Sequence, residues 1–226
     1  MTTLHVSTER RRRSAPTPVR WGPGGISVLD TTEIRWFLAG ELPGDVRRWF
    51  IGPAAVPGEA RRDRYLLEDR TDVGLKFRSG ETLEFKTRLR TGPALELAGG
   101  LVGVVEWWRK WTPVDGLVQP SASGRWIDVD KWIVKRRFEP DGAEVEFSPT
   151  LDGGPSCDVE IVAVQAAGTT AWSFAFAASG PRSSRLAAIG AAWRALVPAE
   201  APTISELGLD RGESMGYPEW LDGRHR

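Results

Sequence analysis

The stretch Val73–Leu89, VGLKFRSGETLEFKTRL, sets charge at every second position of two short arms. Lys76 and Arg78 alternate with Leu75 and Phe77. After a Ser79-Gly80-Glu81 turn, Glu84, Lys86 and Arg88 alternate with Leu83, Phe85 and Leu89. Successive side chains of a strand point to opposite faces. A hairpin of this sequence therefore has one apolar face and one strongly cationic face. Like charges on neighbouring strands repel, so such a face calls for water or for a polyanion. Arginine grips phosphate oxygens through a planar fork and lysine acts as a point charge. The chemistry on offer is the binding of a phosphorylated compound.

Other segments repeat the alternation. Glu33 and Arg35 oppose Ile34 and Trp36; Glu106 and Lys110 share a face with Trp108; Lys135 and Arg137 share one in WIVKRRF. Glu144 and Glu146 alternate with Val145 and Phe147, and Asp158 and Glu160 with Val159 and Ile161. Two architectures explain this. In a sandwich the charged faces lie outside in water. In a closed ring they turn inward around a wet tunnel, with signs mixed at matched heights. The tunnel reading makes Arg35, Lys76, Arg78, Lys86, Arg88, Lys135 and Arg137 the ligand-binding cations. It makes Glu33, Glu144, Glu146, Asp158 and Glu160 the candidate ligands of Mg²⁺ or Mn²⁺, ions that take oxygen from one or two carboxylates, phosphate and water.

The elements that must carry these residues are mostly strands. Eight or nine, joined by short turns, predict a mainly β (α+β) fold, an antiparallel closed or nearly closed barrel with two or three flanking helices. A short helix is expected over GDVRRWF and a longer one over Ser183–Val197, with Leu186, Ile189, Trp193 and Leu196 as its stripe. Residues 90–100, with Gly92-Pro93 and Gly99-Gly100, read as a loop. The expected organisation is a flexible arm over 1–25, one β domain over 26–200, and a largely irregular tail over 201–226 that packs on the barrel mouth.

Composition narrows the function. The 226 residues carry 30 Lys plus Arg against 30 Asp plus Glu, a net charge of zero; a general nucleic-acid binder usually has a basic excess. Cys157 is the only cysteine, and both histidines, His5 and His225, lie near the ends. A zinc site or a serine–histidine triad is not expected. No run of about 18 apolar residues marks a membrane span, and the N-terminus has no apolar signal core, so a soluble cytoplasmic protein is expected. Gly22-Pro23-Gly24-Gly25 lacks the following Lys-Ser/Thr of a P-loop. Eleven tryptophans read chiefly as wall and core packing, although Trp107-Trp108 beside Arg109 and Lys110 could stack on bases.

In order and alternation the chain resembles the CYTH superfamily, the triphosphate tunnel metalloenzymes, over roughly residues 30–165. EIRWF stands for the opening strand, followed by a short helix and the aromatic strand DRYLLED. GLKFR and LEFKTR stand for the basic strands, VEWWRKW for an acidic strand, WIVKRRF for the late basic strand and CDVEIV for the late acidic one. The family opens on Glu-x-Glu-x-Lys. Here Arg35 replaces the second glutamate and Phe37 the lysine, so only Glu33 carries over. The resemblance implies a tunnel that binds a triphosphate- or polyphosphate-containing compound and hydrolyses it with a divalent metal, with Lys86 and Arg88 as catalytic cations. Two other readings stand beside it: a non-catalytic module for a phosphorylated ligand or nucleotide, and a β-sandwich interaction protein. The apolar outer wall would be covered by the chain's own helices or by a second copy in a homo-oligomer.

Overall fold

The computed structural model describes residues 25–52, 58–113, 124–147, 154–198 and 201–225. Long alternating stretches form the strands β1 (Ile26–Ala39), β2 (Glu59–Leu67), β3 (Val73–Arg78), β4 (Thr82–Leu97), β5 (Leu101–Pro113), β6 (Arg125–Phe138), β8 (Cys157–Ala166) and β9 (Thr169–Ala178). These eight pair antiparallel in the order β1-β5-β4-β3-β2-β6-β8-β9, and β9 pairs β1 again, closing a ring. β1 is the closing strand: Ile26–Glu33 pair with β5, and Thr32–Ala39 pair with β9. Two short strands attach to the ring. β7 (Glu144–Val145) pairs the end of β6, and β10 (Glu213–Ser214) pairs Trp36 and Phe37 of β1.

A closed ring gives each strand an inside and an outside. The charged alternation of β1, β3, β4, β5, β6 and β8 faces in, and the sandwich alternative falls. Outside, Ile34, Trp36, Leu38, Phe174, Phe176, Val159 and Ile161 form the main apolar core. Helix α1 (Gly44–Ile51) covers it with Val46 and Phe50, helix α2 (Arg185–Leu196) with Ile189 and Trp193, and the turn around Leu209 with Leu207 and Leu209. The chain's own helices thus cover this part of the wall. Buried tryptophans satisfy their one donor: Trp36 Nε1 donates to the Val102 carbonyl at 2.8 Å and Trp193 Nε1 to that of Ala98 at 2.7 Å.

A second core fills one end of the interior. Phe37, Tyr65, Val129, Ile133, Val162, Val164 and Ala171 point inward there and meet Trp220 and Leu221 of helix α3 (Tyr217–His225). Phe37 stacks on Trp220 with centroids 4.7 Å apart.

Several expectations are corrected. Residues 90–97 continue β4, because register shifts after Arg88 and Thr91 absorb Gly92-Pro93 as irregularities of the strand. The tail is not mostly irregular, since it supplies β10 and α3. The strand over AEVEF shrinks to Glu144–Val145. The 1–25 arm lies outside the described residues except for Gly25. Among the described residues no helix is long and apolar enough to cross a membrane.

Gly103 shows how tight the outer wall is. A Cβ built there would lie 2.3 Å from Trp36 and 2.4 Å from Ile34. Gly103→Val is expected to destabilise the fold by about 1–3 kcal/mol through overpacking. Urea unfolding followed by tryptophan fluorescence reads this, and an unchanged midpoint would contradict the packing of this wall.

Candidate functional site

The other end of the interior holds a cavity of about 330 Å³. Among the described residues nine basic side chains line it: Arg35 from β1, Arg61 from β2, Lys76 and Arg78 from β3, Lys86 from β4, Lys110 from β5, and Lys131, Lys135 and Arg137 from β6. Five carboxylates face them, Glu33, Glu84, Glu106, Asp158 and Glu160. Period-two alternation in a closed ring puts all of these on one surface.

Each acid is held by bases from other strands or from its own neighbours. Lys86 Nζ donates to both Glu33 oxygens at 2.7 and 2.6 Å and lies 4.8 Å from the centre of the Trp108 ring. Arg35 donates to Glu160 at 2.5 Å and to the Ser173 hydroxyl at 2.8 Å, and Lys135 reaches the other Glu160 oxygen at 3.4 Å. Arg137 grips Asp158 through two bonds of 2.6 and 3.0 Å. Glu84 meets Arg78 at 2.8 Å, Lys76 at 3.0 Å and Lys110 at 4.0 Å. Beneath the cavity wall Asp63, fully buried, gathers Arg61 and Lys131 at 2.9 Å and Lys76 at 3.3 Å. Lys131 also donates to the Tyr65 hydroxyl at 2.7 Å.

These contacts set protonation. Burial alone would raise the carboxyl pKa values. At Glu33 the Lys86 ammonium outweighs it, at Glu160 Lys135 and Arg35 do, and at Asp63 Lys76, Lys131 and Arg61 do; all three end below the ordinary carboxylate range. Glu84 falls to about 2 because Lys76, Arg78 and Lys110 overcome its burial. Lys110 shifts the other way for a base: burial lowers it, and Arg78, Lys76 and Lys86 lower it further against the pull of Glu84.

No protein-family model matches the chain, and no curated protein matches it at a significant level. The CYTH likeness rests on segment order and charge alternation.

The structure brings together six of the seven expected ligand-binding cations as cavity lining. Arg88 lies below them, bound to Glu106 and, at 3.3 Å, to Glu219 of α3. Of the five expected metal ligands, Glu33, Asp158 and Glu160 line the cavity. Glu144 and Glu146 do not, because β7 attaches to the end of β6 while β8 takes the place in the ring. Glu144 pairs instead with Arg136 at 2.6 and 2.5 Å. Among the described residues no group of three His, Cys, Asp or Glu side chains could hold one ion. Glu33, Asp158 and Glu160 are each paired with a Lys or Arg, so a divalent ion there would take its oxygens from one or two of them together with phosphate and water.

Sequence reading missed Arg61, Asp63, Tyr65, Lys131 and Tyr217, and did not count Lys110 among the ligand-binding cations although it placed it on a face with Glu106 and Trp108. In ARRDRY both faces of β2 carry charge, since Arg62 pairs with Asp130 outside, and alternation gives no contrast there. Lys131 sits between inward Val129 and Ile133 on a face that changes from apolar to charged.

Glu84 supplies a pH test. Its folded pKa of about 2 lies below its ordinary 4.5, so its contribution to stability is complete above pH 4.5 and is lost as pH falls toward 2. Glu84→Gln is expected to remove that part of the acid transition. At neutral pH it should cost on the order of 2 kcal/mol, less than a fully buried pair because Arg78 is partly solvated. Denaturation curves from neutral to acid pH read both effects, and parallel curves for the two proteins would contradict the assignment.

Proposed function

We propose that the protein binds a triphosphate- or polyphosphate-containing compound inside the ring, and that it acts as a binding module. The observation that carries this reading is the crowding around Lys110. Among the described residues its ion-pair partner Glu84 is 4.0 Å away and is shared with Lys76 and Arg78. Among the described residues nine lining bases face five lining acids, with Asp63 beneath them as a sixth, and the lining keeps a cationic excess in a site partly screened from water. An entering polyanion relieves that repulsion, and charge-assisted bonds from Arg and Lys are among the stronger ones. The resemblance to the triphosphate tunnel enzymes points to the same ligand class.

Glu33, Glu84 and Glu160 are ionised, hydrogen-bonded and held low, so none is tuned as a general base; the reading therefore claims binding, and metal-dependent phosphate release is its competing outcome. The nucleotide version of the reading shares the same phosphate-binding wall.

Calorimetric titration with tripolyphosphate tests the proposal. Binding is expected to persist in EDTA and to weaken steeply with salt. Lys110→Ala should weaken affinity by about tenfold or more, the loss of one charge-assisted contact, while leaving the melting temperature unchanged or higher because a repelled cation is gone. Unchanged affinity in this variant would overturn the reading. Phosphate release that requires Mg²⁺ or Mn²⁺ would restore the hydrolase reading in its place.

A further inference from the structure

We propose that the C-terminal segment makes the cavity blind, so that the protein grips phosphate chains only by a free end. This rests on the phosphate-binding reading above and adds what decides specificity within it. The β1–β5 ladder stops at Glu33 opposite Glu106. Beyond that point β10 takes the place of β5 beside Trp36 and Phe37, and the tail enters the ring through the wall. The Val104 amide donates to the Ser214 hydroxyl at 2.8 Å, and the Met215 amide donates to the Arg35 carbonyl at 3.1 Å, fixing the point of entry. Gly216 then passes beside Glu106 and Trp108, where a Cβ would come within 3.0 Å of both.

Helix α3 spans the ring from there. Glu219 bonds Arg88 of β4 at 3.3 Å, Pro218 packs on Gly74 of β3, Tyr217 stacks on Tyr65 of β2 at 5.7 Å, and Trp220 stacks on Phe37 of β1. Inward apolar residues of β6, β8 and β9 fill the remaining arc. The basic side chains packed on Tyr217 are well covered, Lys131 at 3% and Arg35 at 11% exposed, whereas Lys110 and Arg78 are 31% and 37% exposed.

A linear phosphate chain carries charge on every unit. It can enter past Arg78 and Lys110 and set its terminal group against Lys131 and Arg35. It cannot continue, because the next surface is the Phe37–Trp220 stack, where a charged group would lose its water with no partner. Internal segments of a long chain are excluded for the same reason, since both neighbours of an inserted unit would need a way out. Tyr217, which lines the cavity against Arg35 and Lys131, and Trp220 behind it set this selectivity.

The test is the stoichiometry of the full chain on linear polyphosphates of short and long defined length, measured by sedimentation with light scattering. Copies bound by a Lys76→Ala/Lys86→Ala variant are subtracted to remove binding on the outer surface. One copy per chain end, independent of length, is the expected result. Copies that increase in proportion to length overturn the proposal. A Tyr217→Ala/Trp220→Ala variant, checked for native melting, should shift from end-limited to length-dependent binding. If that folded variant stays end-limited, the stopper is not the cause and the proposal falls. Failure of tripolyphosphate to bind the unmodified protein at all would remove the underlying reading, an outcome distinct from either stoichiometry.

Discussion

A sheet that closes on itself leaves every strand one inward and one outward set of side chains, and a shift of one residue exchanges them. Everything else in this molecule depends on that constraint. β1 feels it most, because its register is fixed twice, by β5 along its first half and by β9 along its second. A slip there would push Trp36 into the charged cavity and Glu33 and Arg35 into the aromatic outer core. The penalties on both sides hold the register, so the mixed charges of the interior are a direct result of strand pairing.

The interior is graded along the ring axis. At one end aromatic and aliphatic groups pack as in any core. At the other, acids and bases from different strands neutralise one another in part, and bases remain in excess. Asp63, with three cations around one buried carboxylate, lies between the two regimes. Buried ion pairs seldom stabilise a fold beyond what apolar packing would achieve. Keeping so many here, with Lys110 held against its own repulsion, is reasonable for a protein whose interior is a binding surface and puzzling for one whose interior is only a core.

The sequence made much of this legible where alternation was clean. Lys76, Asp158 and Glu160 stand between apolar neighbours, Arg78, Lys86, Lys135 and Arg137 each have one, and all line the cavity. Glu144 and Glu146 alternate equally well yet miss the ring, because alternation identifies a strand and not its position in a sheet. Arg61 and Asp63 were hidden by outward charges on the same strand, Arg62 with Asp130 and Arg64 with Asp128, which remove the contrast that marks a face. Tyr217 was hidden for a different reason. Its place inside the ring depends on a gap between β1 and β5, and no local pattern records a gap between distant strands.

The closing seam also bears on how the chain folds. Hairpins such as β3–β4, turned at Ser79-Gly80 with φ of 53° and 75°, join neighbours and can form within microseconds. The β1–β9 seam joins residues far apart, as in the Arg35–Ser173 contact across 138 positions. Bringing such ends together costs loop entropy before any contact rewards it, and folding slows as the mean sequence separation of contacts grows. The seam that defines inside and outside therefore carries a large part of the chain's loop-closure cost, and until it forms the outer tryptophans and the inner charges are exposed to the same water.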